Sequence, residues 1–72
     1  MELTVAEKIE VLRKRRGLSV GEFAEKLGTT RQNIANKLKR NNFSDKELQE
    51  IARVLDCTFT SVFTMNDTRE TL

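Results

Sequence analysis

The sequence predicts a mainly all-α fold, with four helices followed by a C-terminal segment that is either extended or a short fifth helix. Apolar residues recur at helical spacing through most of the chain. A serine or threonine with a glutamate three positions later precedes three of these apolar stretches, which is the pattern of an N-terminal capping box. None of the 72 residues is a proline, so no proline interrupts the helices.

The first helix is predicted to begin after Thr4, which can form a capping box with Glu7. The cations of residues 13–16, "RKRR", close this helix, where they suit the negative end of the helix dipole or form a solvated face. Gly17 lies where a left-handed residue would end the helix. The apolar face of the helix, at i, i+4 and i+7, consists of Val5, Ile9 and Leu12.

The second and fourth helices begin in the same way. Ser19 is followed by Glu22, and Ser44 is followed by Glu47. Gly28 is placed to end the second helix. The apolar residues that follow these two capping boxes in the sequence are Phe23, Ala24 and Leu27 in the second helix and Leu48, Ile51, Ala52 and Leu55 in the fourth.

The third helix differs at its start. Thr30 can cap it, but Asn33 stands where the other helices have a glutamate. Residues 26–44 include five lysines and arginines and no acid at all. A carboxylate in the first turn normally stabilises a helix, by a few tenths of a kcal/mol up to about 1 kcal/mol. Its omission here indicates that this helix start meets an anion.

A helical projection of the third helix separates an apolar side from a polar one. Ile34 and Leu38 share the inward side, and Arg31 lies near its edge but is long enough to swing outward. Amide side chains can bond adenine and arginine can bond guanine in the DNA major groove, so the polar side suits that groove. The alternative is an ordinary solvated face. The outward residues are Gln32, Asn36, Lys39 and Arg40, with Asn33 and Ala35 on the flanks.

The composition excludes several classes of function. The chain has no histidine and one cysteine, which leaves neither an internal disulfide nor a zinc site. It also lacks a glycine loop for phosphates and paired carboxylates in an apolar setting, so we expect no enzyme, no cofactor and no small-molecule substrate. No apolar run approaches the roughly 20 residues of a membrane span. We expect a cytoplasmic protein that does not enter a membrane.

The segment "LSVGEFAEKLGTTRQNIANKL" has a recognisable spacing. Ala24 is followed by Gly28 four residues later and then by Ile34. This segment resembles the helix-turn-helix of the phage-repressor family, of the lambda and 434 repressor and Cro type, and "GTTRQNI" is especially close to the 434 type. The resemblance implies that Ala24 lies where two helices cross closely, that Gly28 falls in the turn and that Ile34 anchors the second helix. The resemblance extends over roughly residues 5–57 and includes the fourth helix. It implies a sequence-specific DNA-binding transcriptional regulator whose DNA-binding domain is residues 1–57.

The resemblance also implies roles for individual residues. The third helix, Thr30–Arg40, would lie in the major groove of double-stranded DNA. Ser19 or nearby backbone N–H groups would replace a phosphate contact that the family usually makes with a glutamine, because this chain has Val20 there. The implied DNA contacts are Thr30 to phosphate, Arg31, Gln32 and Asn36 to base edges, Asn33 to either, and Lys37, Lys39 and Arg40 to the backbone, beside the amides of "NNFS".

A second departure from the family concerns Leu38. The family tends to have a glutamate there, paired with an arginine that matches Arg13. That ion pair cannot form in this chain. We therefore expect Leu38 to add apolar packing and Arg13 to be free for solvent or phosphate.

The tail, residues 58–72, changes in character. Phe59, Ser61, Phe63 and Met65 alternate at period two, which favours a strand, whereas the i, i+4 spacing of Phe59 and Phe63 leaves a short fifth helix possible. A lone strand needs a partner. The tail therefore predicts a homodimer contact through Phe59, Phe63 and Met65, unless it packs only on its own core.

The alternative to a DNA-binding regulator is a protein-interaction module, such as an antitoxin-like subunit.

Overall fold

The computed structural model describes residues 2–72 and contains four helices in that range. The tail beyond them contains no helix, so the fifth helix does not form. The four-helix prediction is confirmed. No helix in this range is long and apolar enough to cross a membrane. The helices are α1 (Val5–Arg15), α2 (Val20–Leu27), α3 (Arg31–Arg40) and α4 (Asp45–Val54).

Each helix begins at the residue that the sequence predicts. Thr4, Ser19 and Ser44 each close a complete capping box with the glutamate three positions on. Thr30 caps α3 by accepting a hydrogen bond from the backbone N–H of Asn33 at 3.1 Å. The first turn of α3 contains no acid, whereas the first turns of α1, α2 and α4 each contain one or more. Local hydrogen bonding therefore explains where the helices start.

The helices enclose one small core with α2 at its centre. Phe23 is fully buried, and Leu55 at the end of α4 is nearly so. Ala24 is also buried where α2 packs against α3, and α2 packs against α4 as well. Gly28, with a φ of +74°, takes the left-handed conformation that ends α2 and starts the turn into α3. This packing leaves the side of α3 opposite Ile34 facing solvent.

The end of α3 is joined to the start of α1. Asn41 terminates α3 in the left-handed conformation, with a φ of +51°. Its side-chain Oδ1 accepts a hydrogen bond from the backbone N–H of Ala6 at 2.9 Å. One residue thus ends one helix and satisfies a free N–H in the first turn of another.

The expectation that Arg13 is free for solvent or phosphate is wrong. Its side chain is buried, with a residue exposure of 8%. The guanidinium donates two hydrogen bonds to the carboxylate of Glu10, at 2.7 and 3.2 Å, and one to the carbonyl of Leu18 at 2.6 Å. This pairing lowers the pKa of Glu10. Glu10, one turn earlier on the same helix, occupies the arginine, while Leu38 packs half-buried against the core as predicted.

Arg16 also belongs to the fold. Its guanidinium donates to the carbonyls of Leu55 at 2.8 Å and Asp56 at 3.1 Å, at the C-terminus of α4, where a cation suits the helix dipole. Of the cluster 13–16, only Lys14 and Arg15 remain as an ordinary solvated face.

The tail runs back along α4 and then forms a short hairpin. Gln49 Nε2 donates to the carbonyl of Phe59 at 3.2 Å, and the Ser61 hydroxyl donates to Asp45 at 2.7 Å. Phe63 and Leu72 then exchange two backbone hydrogen bonds, at 2.9 and 2.8 Å. The predicted strand does not form as a regular element: the segment makes one isolated antiparallel bridge, between Thr64 and Thr71, and its partner is the C-terminal end of the same chain.

Replacement of Leu38 by glutamate is expected to destabilise the protein. Full burial of a leucine contributes roughly 1.5–3 kcal/mol, so a half-buried one should contribute about 1 kcal/mol or more. The new carboxylate gains little in return, because Glu10 already holds Arg13. Urea denaturation of Leu38→Glu should show this loss. Lys39→Glu, which adds the same group at an exposed neighbouring position, is the control.

A Leu38→Glu variant at least as stable as the original chain would show that Leu38 does not stabilise the fold by apolar packing. A loss no larger than that of Lys39→Glu would show the same.

Candidate nucleic-acid interface

The exposed side of α3 brings together most of the DNA-binding residues that the sequence predicts. Ile34 is the one buried residue of α3 and faces the core. Lys37 is half-buried at the side of the helix nearest α4, and Ser19 lies apart, at the start of α2. The remaining predicted contacts are all exposed and belong to α3 or its cap: Thr30, Arg31, Gln32, Asn33, Asn36, Lys39 and Arg40.

The side chains best placed to contact bases have no internal partner. Among the described residues, none of Arg31, Gln32 and Asn36 has a side-chain hydrogen bond or ion pair. Their donors and acceptors are therefore available to a ligand. Because Gln32 and Asn36 are one turn apart, they project from the same side of α3.

The start of α3 is a region of positive potential. The Thr30 hydroxyl satisfies the N–H of Asn33, and the Asn33 side chain donates to the Thr29 hydroxyl at 2.7 Å. The backbone N–H groups of Arg31 and Gln32 have no acceptor within residues 2–72. Free N–H groups at a helix start attract anions, and here no carboxylate in the first turn opposes them.

A polar notch of about 160 Å³ lies beside α3, where the chain turns towards α4. Amides and cations line it, and no carboxylate does. Asn42 belongs to this notch, although the sequence predicted only that the amides of "NNFS" would lie near the DNA backbone. Its neighbour Asn41 does not line the notch, and its side-chain oxygen accepts the backbone N–H of Ala6. The lining residues are Asn33, Asn36, Lys37, Arg40 and Asn42.

Lys37 is paired within the chain. Its ammonium forms an ion pair with the Oε2 of Glu47 on α4. The Oε1 of the same carboxylate accepts the backbone N–H of Ser44 at 3.1 Å. The Lys37 ammonium, followed by this N–H, lowers the pKa of Glu47 to about 2. The sequence pattern identifies Glu47 as a capping residue and contains no sign of its pairing with Lys37.

The start of α2 differs from the start of α3. Ser19 accepts the N–H of Glu22 and donates its own backbone N–H to the Glu22 carboxylate at 3.0 Å. Only the hydroxyl hydrogen of Ser19 therefore remains to meet a phosphate. Val20, in place of the family glutamine, packs half-buried against the core.

Nothing in the described range is arranged to hold a metal ion. No three histidine, cysteine, aspartate or glutamate side chains of residues 2–72 are grouped as a metal site requires. The exposed groups of α3 are hydrogen-bonding amides and fixed positive charges, which suit a large anionic ligand.

Comparison with family models identifies the chain. The family described as helix-turn-helix matches residues 9–62, which include all of α2, α3 and α4 and most of α1. Comparison with curated proteins gave no match, and comparison with solved structures gave none either. The α2–Gly28–α3 unit is the helix-turn-helix itself. The chain belongs to the helix-turn-helix family of DNA-binding regulatory domains, of the lambda and 434 repressor and Cro type.

Proposed function

We propose that the protein is a sequence-specific transcriptional regulator that binds DNA with α3 in the major groove. The observation that supports this most directly is the contrast between α3 and the other helices. Three helices place an acid in the first turn, and the one with an outward face of amides and cations does not. Such a helix start attracts DNA, and a helix of this diameter fits the major groove.

Three side chains of α3 contact base edges in this proposal. The exposed amides of Gln32 and Asn36 can each bond the N6 and N7 of an adenine, and Arg31 can bond the O6 and N7 of a guanine. None of the three has to break an internal hydrogen bond first. Their contacts determine which sequence is preferred.

Other groups hold the protein on the DNA backbone. Lys39 and Arg40 are exposed at the end of α3, and Thr30 lies at its start. The Ser19 hydroxyl provides a further contact at the start of α2. Contacts of this type set orientation and affinity, and they give little choice between sequences. By occupying an operator in this way the protein would regulate transcription without a cofactor.

Alanine at Gln32 or Asn36 should weaken binding to the preferred site by about 1–3 kcal/mol and relax sequence preference there. Alanine at Lys39 is the matched control, because it removes a phosphate contact. It should weaken binding to all sequences alike and reduce the slope of log K against log salt by about 1. Selection of duplexes from a random pool, followed by fluorescence anisotropy titrations, measures both effects.

If Gln32→Ala and Asn36→Ala both selected the same sequences as the original chain, α3 would not be the element that reads the bases. If the original chain selected no sequence at all, a protein-interaction role would be favoured over DNA binding.

We further propose that two copies bind together through the tail. One recognition helix covers only a few base pairs, and paired helices enter successive major grooves about 34 Å apart. Phe63 and Leu72 lie opposite each other in the hairpin and so share a face, on which they are 80% and 85% exposed. Met65, 45% exposed, lies on the same face by alternation. Phe59 is already half-buried, so it contributes less to such a contact.

The hairpin also has an unpaired backbone edge. Phe63 directs its N–H and C=O to Leu72, so the next residue, Thr64, directs its own groups away from the hairpin. An open edge beside an apolar face can pair with the same edge of a second copy. Two hairpins would then form an antiparallel sheet across a two-fold axis.

Aspartate at Phe63 should lower the affinity for a palindromic site while sparing a single half-site, because it disrupts only the contact between copies. Val62→Asp is the control, since Val62 is also exposed but points to the other side of the strand. Sedimentation of the protein alone and with DNA gives the number of chains per site. A single chain on a full palindrome would contradict the proposal, as would equal losses from the two variants.

A further inference from the structure

Lys37 differs from the other cations of α3 because it already has a counter-ion. It lines the polar notch with Asn36 and Arg40, yet its ammonium lies on Glu47 of α4. Among the described residues, Lys39 and Arg40 form no ion pair. Of the two cations that line the notch, Lys37 is therefore paired with a carboxylate and Arg40 is free to bind an anion.

We propose that the notch receives one backbone phosphate of DNA and that Glu47 limits how strongly it does so, by holding Lys37. Glu47 is then an affinity-limiting residue, and Lys37 is a cation whose charge is only partly available to the nucleic acid. This inference rests on the proposed DNA-binding function.

The position of the ion pair allows this competition. The two side chains are 32% and 36% exposed, so a phosphate that enters the notch can approach the ammonium without displacing core residues. A lysine ammonium has three donors, so its ion pair with Glu47 leaves donors for a phosphate. Partly exposed ion pairs are weak, so the Lys37 ammonium can contact a phosphate while it stays close to the Glu47 carboxylate.

The charge of Glu47 persists wherever DNA binding is measured. Lys37 and the N–H of Ser44 hold the pKa of Glu47 near 2, so this carboxylate is ionised at neutral pH. The ionised carboxylate therefore keeps its hold on the Lys37 ammonium and reduces the positive charge that is available to a phosphate. Each cation that neutralises a phosphate releases counterions and adds about 1 to the slope of log K against log salt. A lysine that is already paired with a carboxylate adds less than this.

The capping role of Glu47 does not require this charge. A glutamine at the third position of a helix can also complete a capping box with a serine. The glutamate thus adds an effect on DNA binding beyond helix capping. Because phosphate contacts are nearly independent of sequence, a weaker notch lowers binding to all DNA and leaves discrimination to the base contacts of Gln32 and Asn36.

The test is Glu47→Gln, which keeps the capping interaction and removes the charge. Binding to a duplex selected by the original chain and to a mixed-sequence duplex should both tighten, about three- to tenfold at about 50 mM salt, with a salt slope steeper by up to about 1. Glu50→Gln is the matched control. It removes the same charge from the same helix, but its carboxylate pairs with Arg53 at 2.9 Å.

Variants of Lys37 test whether the tighter DNA binding of Glu47→Gln depends on this lysine. In a Lys37→Met background, Glu47→Gln should give no more than the gain of Glu50→Gln. In the original background, Lys37→Met should reduce the salt slope by less than Lys39→Met does. This last comparison does not depend on how stable Glu47→Gln is.

Equal gains from Glu47→Gln and Glu50→Gln would overturn the inference, as would equal slope losses from Lys37→Met and Lys39→Met. If the original chain still binds its selected duplex, either result would refute only the role of Glu47 and would not contradict the proposed DNA-binding function. Failure of the original chain to bind any duplex would instead refute the proposed function.

Discussion

Two apolar side chains attach α3 to the core: Ile34, its one buried residue, and the half-buried Leu38. An ordinary amphipathic helix buries a wider stripe, but α3 has to leave its opposite side polar and accessible. Fixing its orientation with so little apolar contact is the constraint that the rest of the structure meets. The buried faces of α2, around Phe23 and Ala24, supply the surface on which Ile34 packs.

The turn before α3 and two polar contacts made by the helix and its end complete this attachment. Gly28 sets the direction of the chain into the helix, since only a residue that tolerates positive φ makes that turn easily. Lys37 joins the middle of α3 to α4 through Glu47, and Asn41 joins its end to the backbone of Ala6. Each contact lies on the flanks or ends of α3, so none of them occupies the outward face. The same arrangement places the ammonium of Lys37 against Glu47.

The sequence predicts the helices well because their causes are local. A serine or threonine and the residue three positions later determine each start, and the periodicity of apolar residues determines the buried face. Contacts between distant parts of the chain could not be predicted in this way. The bonds from Asn41 to Ala6 and from Arg16 to Leu55 join residues 35 and 39 positions apart, and the sequence pattern offers several equivalent partners for each.

Two errors have different origins. Arg13 pairs with Glu10, three residues earlier on the same helix, whereas the family pattern pairs this arginine with the residue at position 38. The hairpin partner of Phe63 could not be predicted, because the segment around Leu72 lacks the apolar alternation of a strand. The outward residues of α3 were predicted correctly as exposed, since helical geometry alone separates them from Ile34.

The central claim is that α3 lies in the major groove, and dimethyl sulfate protection tests it most directly. This reagent methylates guanine at N7 in the major groove and adenine at N3 in the minor groove. On a duplex selected by the protein, we expect protection of guanine N7 in two patches about one helical turn apart, with adenine N3 still reactive. Protection of adenine N3 alone, or of neither position on a duplex that is demonstrably bound, would contradict the placement of α3 in the major groove.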